Sequence, residues 1–145
     1  MIAISASLLA ADQSNLLKEV ESLPSSVTSL HLDIMDGVEV PNHGLVIDDI
    51  KQLPQSWTKE VHLMVAHPED FITQFQGVVV NCFFINLSVW TERLVWKIQP
   101  ENIGLVINPT DDINTAIQSI KEAKNLLVMG VIPGKSGQTM LPDTT

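Results

Sequence analysis

Apolar residues gather in short runs along the chain, and each run is followed by a stretch with helical spacing. Ile2 to Leu8 is the first run. Asp12 then reads as an N-cap, with Leu16, Leu17, Val20 and Leu23 on one helical face. The second run, Ser29 to Met35, precedes a helix-like stretch carrying Val46, Ile47, Ile50 and Leu53. After the third, Glu60 to Val65, Pro68 suits a first helical position and Glu69 and Asp70 suit the first turn. Phe71, Ile72 and Phe75 would be that helix's buried face. The fourth run, Val78 to Leu87, leads into a helix through Trp90, Leu94 and Ile98. Beyond the fifth, Ile103 to Ile107, Thr110 or Asp111 is expected to cap a helix. Its apolar face is Ile113, Ala116, Ile117 and Ile120, with Lys121 and Lys124 near its C-terminal end. Leu126 to Ile132 is the sixth run, and a Gly-rich turn follows it.

Strands so continuously apolar are covered on both faces, which predicts an α/β chain with a parallel sheet built from βαβ units. No linker or low-complexity segment divides the chain, so residues 1–145 read as one domain. A doubly wound open sheet and a (β/α) barrel both fit the pattern.

Charge narrows the partners. The formal net charge is −9, which repels a phosphate backbone and an anionic bilayer, so neither nucleic acid nor membrane is expected. An anionic substrate would need local capture by backbone N–H groups or a metal. The single cysteine, Cys82, lies in the apolar run Val78 to Ile85, as suits a reducing cytoplasmic location without disulfides. The apolar start, Met1 to Ala11, lacks a basic leader and meets Asp12 at once, unlike a signal peptide. No stretch approaches the 18 or so apolar residues of a membrane span.

Polar residues inside buried strands are the informative exceptions. Alternation puts His31, Asp33 and Met35 on one face of the second strand, and His62 and Met64 on one face of the third. Two imidazoles and a carboxylate aimed at one place suit a divalent metal, with Zn2+ or Fe2+ favoured by the N and O donors. The plainer reading makes both histidines hydrogen-bonded core residues and Asp33 a helix cap. The recurrence of His-x-Met on adjacent strands favours the metal. His43, in a loop, and His67, before Pro68, read as structural. Gly134-Lys135-Ser136 has the end of a nucleotide P-loop, but Met129 stands where the first glycine belongs and Gly130 misses by one. A small-residue loop after a strand can still bind phosphate through backbone N–H groups, or be a plain turn.

Six segments share a further property. Ser7 to Asp12, His31 to Gly37, Pro41-Asn42, Val61 to Met64, Asn108-Pro109-Thr110 and Met129 to Gln138 are similar, in order, to the motifs of ribulose-phosphate 3-epimerases. Each alone is weak, and the ordered set spans nearly the whole chain. The resemblance implies a TIM barrel of the ribulose-phosphate-binding type, incomplete, with six strands of eight; whole barrels take at least about 200 residues. It implies metal-assisted interconversion of D-ribulose 5-phosphate and D-xylulose 5-phosphate by C3 proton transfer. His31, Asp33 and His62 would hold the metal (Zn2+ or Fe2+, with Mn2+ or Co2+ possible), and Asp33 would be one of two acid–base groups. The family's second acid, which is also its fourth metal ligand, lies on a seventh strand with no counterpart here. Ser7, His62 and the loop Gly134, Lys135, Ser136 and Gly137 would contact the sugar phosphate. Met35, Met64 and Met129 would line the site.

There are departures. Ala10 stands at a usual serine, Asn86-Leu87-Ser88 replaces a His-Ala-Glu-like segment, and Lys135-Ser136 replaces a Phe-Gly pair. Without the second acid, little epimerase activity is expected of residues 1–145 alone. Open strand edges should make them a homo-oligomer or prone to aggregate. The alternatives are a non-catalytic metal- or sugar-phosphate-binding remnant, and a hexulose 6-phosphate 3-epimerase.

Overall fold

A computed structural model describes residues 2–90, 102–121 and 123–142. Strands and helices alternate: β1 (Ser5–Ser7), α1 (Leu16–Glu21), β2 (Ser29–Met35), α2 (Ile47–Lys51), β3 (Thr58–Met64), α3 (Pro68–Gln74), β4 (Cys82–Asn86), β5 (Ile103–Ile107), α4 (Ile113–Ile120) and β6 (Asn125–Val128). All neighbouring strands are parallel, and the sheet runs β1-β2-β3-β4-β5-β6. A doubly wound sheet reverses its strand order, whereas strands laid down in chain order are those of a (β/α) barrel. The fold is a partial barrel, with β1 and β6 at the two edges among the described residues.

Alternation along each strand separates two cores. Leu30, Leu32 and Ile34 of β2, Val61 and Leu63 of β3, and Phe83 and Ile85 of β4 face outward. They pack on Leu16 and Val20 of α1, Ile47 and Ile50 of α2, and Phe75 just after α3. Burying each such side chain contributes roughly 1.5–3 kcal/mol, so the helix-facing layer dominates stability. The inner face is smaller and splits in two. Met35, Val40 and Met64 form one cluster, and Cys82, Phe84 and Val106 the other, with Leu127 and Met129 against it. Gly104 leaves the room this second cluster needs, because a Cβ there would lie 2.5 Å from Phe84 Cδ1.

β2 and β5 have the expected bounds. β4 begins at Cys82 instead of Val78. Val78 and Val80 still pack on the core, but Val79 is exposed and the ladder starts only where Glu60 meets Cys82. β6 ends at Val128, four residues short of Ile132. Asp12 does cap, but it caps a 3-10 turn over Gln13–Asn15 that leads into α1. The cap of α4 is Asp112, whose side chain accepts from Thr115 N, while Asp111 accepts from Asn108 N. The apolar face of α4 is only partly covered: Ala116 is fully buried, but Ile113 and Ile117 are more than half exposed. Of the helix read through Trp90, Leu94 and Ile98, everything beyond Trp90 lies outside the described residues.

Candidate metal centre and substrate pocket

Register brings the polar exceptions together. Asp33 pairs with His62 across β2 and β3, and Ser7 pairs with His31 across β1 and β2. On the inner face, His31 Nε2 lies 3.4 Å from Asp33 Oδ1, and His62 Nδ1 lies 3.5 Å from the same oxygen. One donor atom from each of the three residues falls within 4.8 Å of the others. The second carboxylate oxygen, Asp33 Oδ2, accepts a 2.9 Å hydrogen bond from Ser7 Oγ. On the far side, His62 Nε2 meets Asn86 Oδ1 at 3.0 Å. A polar belt thus crosses β1, β2, β3 and β4 at one end of the barrel.

The chemistry of this belt fits a cation. With the ring proton of His62 on Nε2, where Asn86 Oδ1 can accept it, Nδ1 would present a lone pair. That Nδ1 is buried without a hydrogen-bond partner. It faces a carboxylate oxygen, and two electron-rich atoms at this distance repel unless a positive centre lies between them. The donors are two imidazole nitrogens and a carboxylate oxygen, as zinc or ferrous iron prefers. Burial alone would raise the pKa of Asp33. The neighbouring histidines, His31 foremost, outweigh it and hold the carboxyl well below the usual range. Asp33 is therefore a carboxylate near neutral pH, able to ligate a cation.

A pocket of about 240 Å³ opens over the belt. Ser7, His31 and Asp33 form its polar floor, and Leu9, Met35, Met64 and Met129 its apolar wall. Gly134, Lys135 and Ser136 form its lip. His62 does not line the pocket; it lies beneath the floor, fully buried. Gly137 closes the lip's turn at φ 72° without lining the pocket. Among the described residues, Asp33 is the only carboxylate in the lining. His43 packs its ring over Gly37 and His67 precedes α3, so both lie outside the cluster.

Three supporting side chains went unread in the sequence. Asn42 Nδ2 donates 2.7 Å to the Gly134 carbonyl, tying the loop after β2 to the lip. Gln138 Nε2 donates to the carbonyls of Ile132 and Lys135 and so clamps the turn. Asp36 accepts from the N–H groups of Val38, Glu39 and Ala66, joining the loops after β2 and β3. Slight burial would raise its pKa, but those N–H groups outweigh it and lower it. Asn42, Gln138 and Asp36 all lie within the motifs, so polar side chains near glycine turns were the available signal.

The sequence profile described as the Ribulose-phosphate 3 epimerase family matches residues 3–145. The chain belongs to that family. It is 32% identical to a ribulose-phosphate 3-epimerase of Schizosaccharomyces pombe over 97% of its length, and 29% identical to one of Synechocystis over 98%. A Methanocaldococcus jannaschii relative of the same name is 32% identical over the whole chain. The chain spans 66%, 66% and 64% of the lengths of these three epimerases. Within the epimerase family, a metal-dependent one, His31, Asp33 and His62 form a group that could hold the ion. No helix among the described residues is long and apolar enough to cross a membrane.

Proposed function

We propose that this chain forms the metal-binding part of an active site that interconverts D-ribulose 5-phosphate and D-xylulose 5-phosphate by proton transfer at C3. The observation that carries the reading is the convergence of His31 Nε2, Asp33 Oδ1 and His62 Nδ1 beneath a pocket of sugar-phosphate size. A divalent metal held by these three residues supplies Lewis-acid stabilisation of the charge that develops on substrate oxygen. Asp33 removes the C3 proton; the C–H electron pair moves towards C2, and the carbonyl oxygen takes the charge of an enediolate. Ser7 donates to Asp33 Oδ2, and the contact of Oδ1 with the two histidines supports Oδ2 as the oxygen that receives the proton. Leu9, Met35, Met64 and Met129 exclude water from the reacting carbon. The position of Gly134, Lys135 and Ser136 at the pocket's rim supports a role for Lys135 and the lip backbone in holding the phosphate.

Return of the proton to the same face gives exchange, and delivery to the opposite face gives the epimer. Asp33 serves one face. With residues 1–145 in D2O and added zinc or ferrous iron, the C3 proton of ribulose 5-phosphate should exchange with solvent deuterium while almost no xylulose 5-phosphate forms. Proton NMR follows both. Absence of exchange in a chain that has bound metal would overturn the reading of Asp33. Net conversion at the rate of an ordinary epimerase would require a second acid within these residues. A cytoplasmic setting is supported by the free, buried Cys82 and by a rice relative described as a cytoplasmic isoform. Self-association is supported by exposed Ile4 beside β1 and by Leu126 and Val128 on β6, at the two sheet edges.

A further inference from the structure

A neutral imidazole has one N–H, and His62 sits between two acceptors that compete for it. Asp33 Oδ1 faces Nδ1 at 3.5 Å, and Asn86 Oδ1 faces Nε2 at 3.0 Å. His62 is fully buried and Asn86 is 2% exposed, so water does not arbitrate. Carboxylates accept more strongly than amides. Left to Asp33 alone, the proton would settle on Nδ1, and a protonated Nδ1 cannot ligate a metal. The geometry points the other way: the shorter contact is to Asn86, and Nδ1 is left without a hydrogen-bond partner.

We infer that Asn86 is a positioning residue that holds the His62 proton on Nε2 and keeps Nδ1 open as a metal ligand, an inference that rests on reading His31, Asp33 and His62 as the metal centre. Asn86 is placed for this by β4. Cys82, Phe84 and Asn86 share the inner face, His62 pairs with Phe84, and the asparagine lies one inward position further towards the mouth. An amide does not titrate, so it offers the same acceptor throughout the neutral pH range. The sequence departs here from the histidine that its resemblance leads one to expect.

Long-range 1H–15N correlation of the histidine rings reads the tautomer directly in chain stripped of metal by chelation. His62 in the wild type should show a protonated Nε2 and an unprotonated Nδ1. Asn86→Leu, of similar volume and without the acceptor, should move the proton to Nδ1 and weaken zinc binding about 10–100-fold by titration calorimetry. Asn86→Asp, which restores an oxygen at the same place, should keep the proton on Nε2 and regain most of the affinity. A merely structural asparagine would lower stability in both variants and leave the tautomer alone. Should Asn86→Leu fail to fold, Asn86→Ala removes the same oxygen in a smaller side chain and is read in the same way. A wild-type His62 protonated on Nδ1, or an unchanged tautomer and zinc affinity without the acceptor, overturns the role of Asn86. If the wild type shows the Nε2 proton yet binds no zinc, the metal centre itself falls, and the ligand-positioning role falls with it.

Discussion

The floor and the lip of the pocket are built on different terms. At the floor, the functional side chains brace one another: Ser7 holds one oxygen of Asp33, the other faces two histidines, and His62 rests on Asn86. These contacts cross adjacent strands of a parallel sheet, so no group can shift without moving its neighbour. At the lip, Lys135, Ser136 and Gly137 are exposed, and the turn is fixed by side chains that grip its backbone carbonyls. A backbone grip tolerates a change of side chain, which accounts for Lys135-Ser136 sitting where the resemblance leads one to expect Phe-Gly. The floor's departure, Asn86, is instead tied into the belt. Chemistry sits where packing over-determines position, and recognition sits where the chain can vary.

The largest effect expected is on exchange. Asp33→Asn should slow metal-dependent C3 exchange by about 10²–10⁴, while Lys135→Ala should raise KM with little change at saturating substrate. Equal losses in both parameters for Lys135→Ala would give the lip a part in the transition state and erase the contrast. Zinc binding follows: calorimetry on His62→Ala should show a loss beyond the roughly 10–100-fold of an outer partner. Unchanged affinity there would remove His62 from the centre.

Backbone tolerance sharpens the comparison. Gly44 lies against β2, where an added Cβ would sit 2.3 Å from the Asp33 carbonyl oxygen, and Leu45 N donates to that oxygen at 2.9 Å. Gly44→Ala should cost about 3 kcal/mol in urea unfolding and disturb metal binding as well. At Gly137, φ is 72° but nothing lies within 4 Å of the added atom. Gly137→Ala should cost only about 1 kcal/mol, the strain of the left-handed region, and leave zinc affinity intact.

Acid titration adds a smaller test. The folded-state pKa of Asp33 is depressed from 3.8, so the unfolded chain binds this proton more readily than the folded one. Its contribution to stability is fully present above about pH 4 and is lost as pH falls towards the lower folded value. Asp33→Asn should flatten the acid limb of the stability profile; an unchanged limb would mean the histidines do not stabilise the carboxylate. The smallest effect concerns Cys82, whose thiol is pushed up to about 12 by burial and by Glu60. Iodoacetamide at pH 8 should label it slowly in the native chain and rapidly in urea.

Much was legible from pattern, because strand alternation and the runs of Val, Ile and Leu are local properties. The bounds of β2 and β5, the shared face of His31 and Asp33, and the pairing of His62 with Met64 all follow from a period of two applied to buried strands. Element ends were less legible. Val78 and Val80 are apolar and pack on the core, yet no partner strand reaches them, so the fourth apolar run starts four residues before its strand. Ile113 and Ile117 have helical spacing but are largely exposed, since periodicity tells which face is apolar and not whether anything covers it.

The remaining decisions belong to contacts between distant segments. Lys59, just before the third apolar run, is fully buried on the helix side of β3, where Nζ donates to the carbonyls of Pro54 and Trp57 and burial lowers its pKa. Asn42 reaches Gly134 across 92 positions, and Asn86 reaches His62 across 24. Residue types and their alternation establish strands, faces and the family motifs, because these depend on near neighbours and on the two faces of a strand. Which acceptor owns the His62 proton, which loop grips the lip and which lysine is buried depend on register and packing, because a hydrogen bond is set by distance in space and not by spacing along the chain.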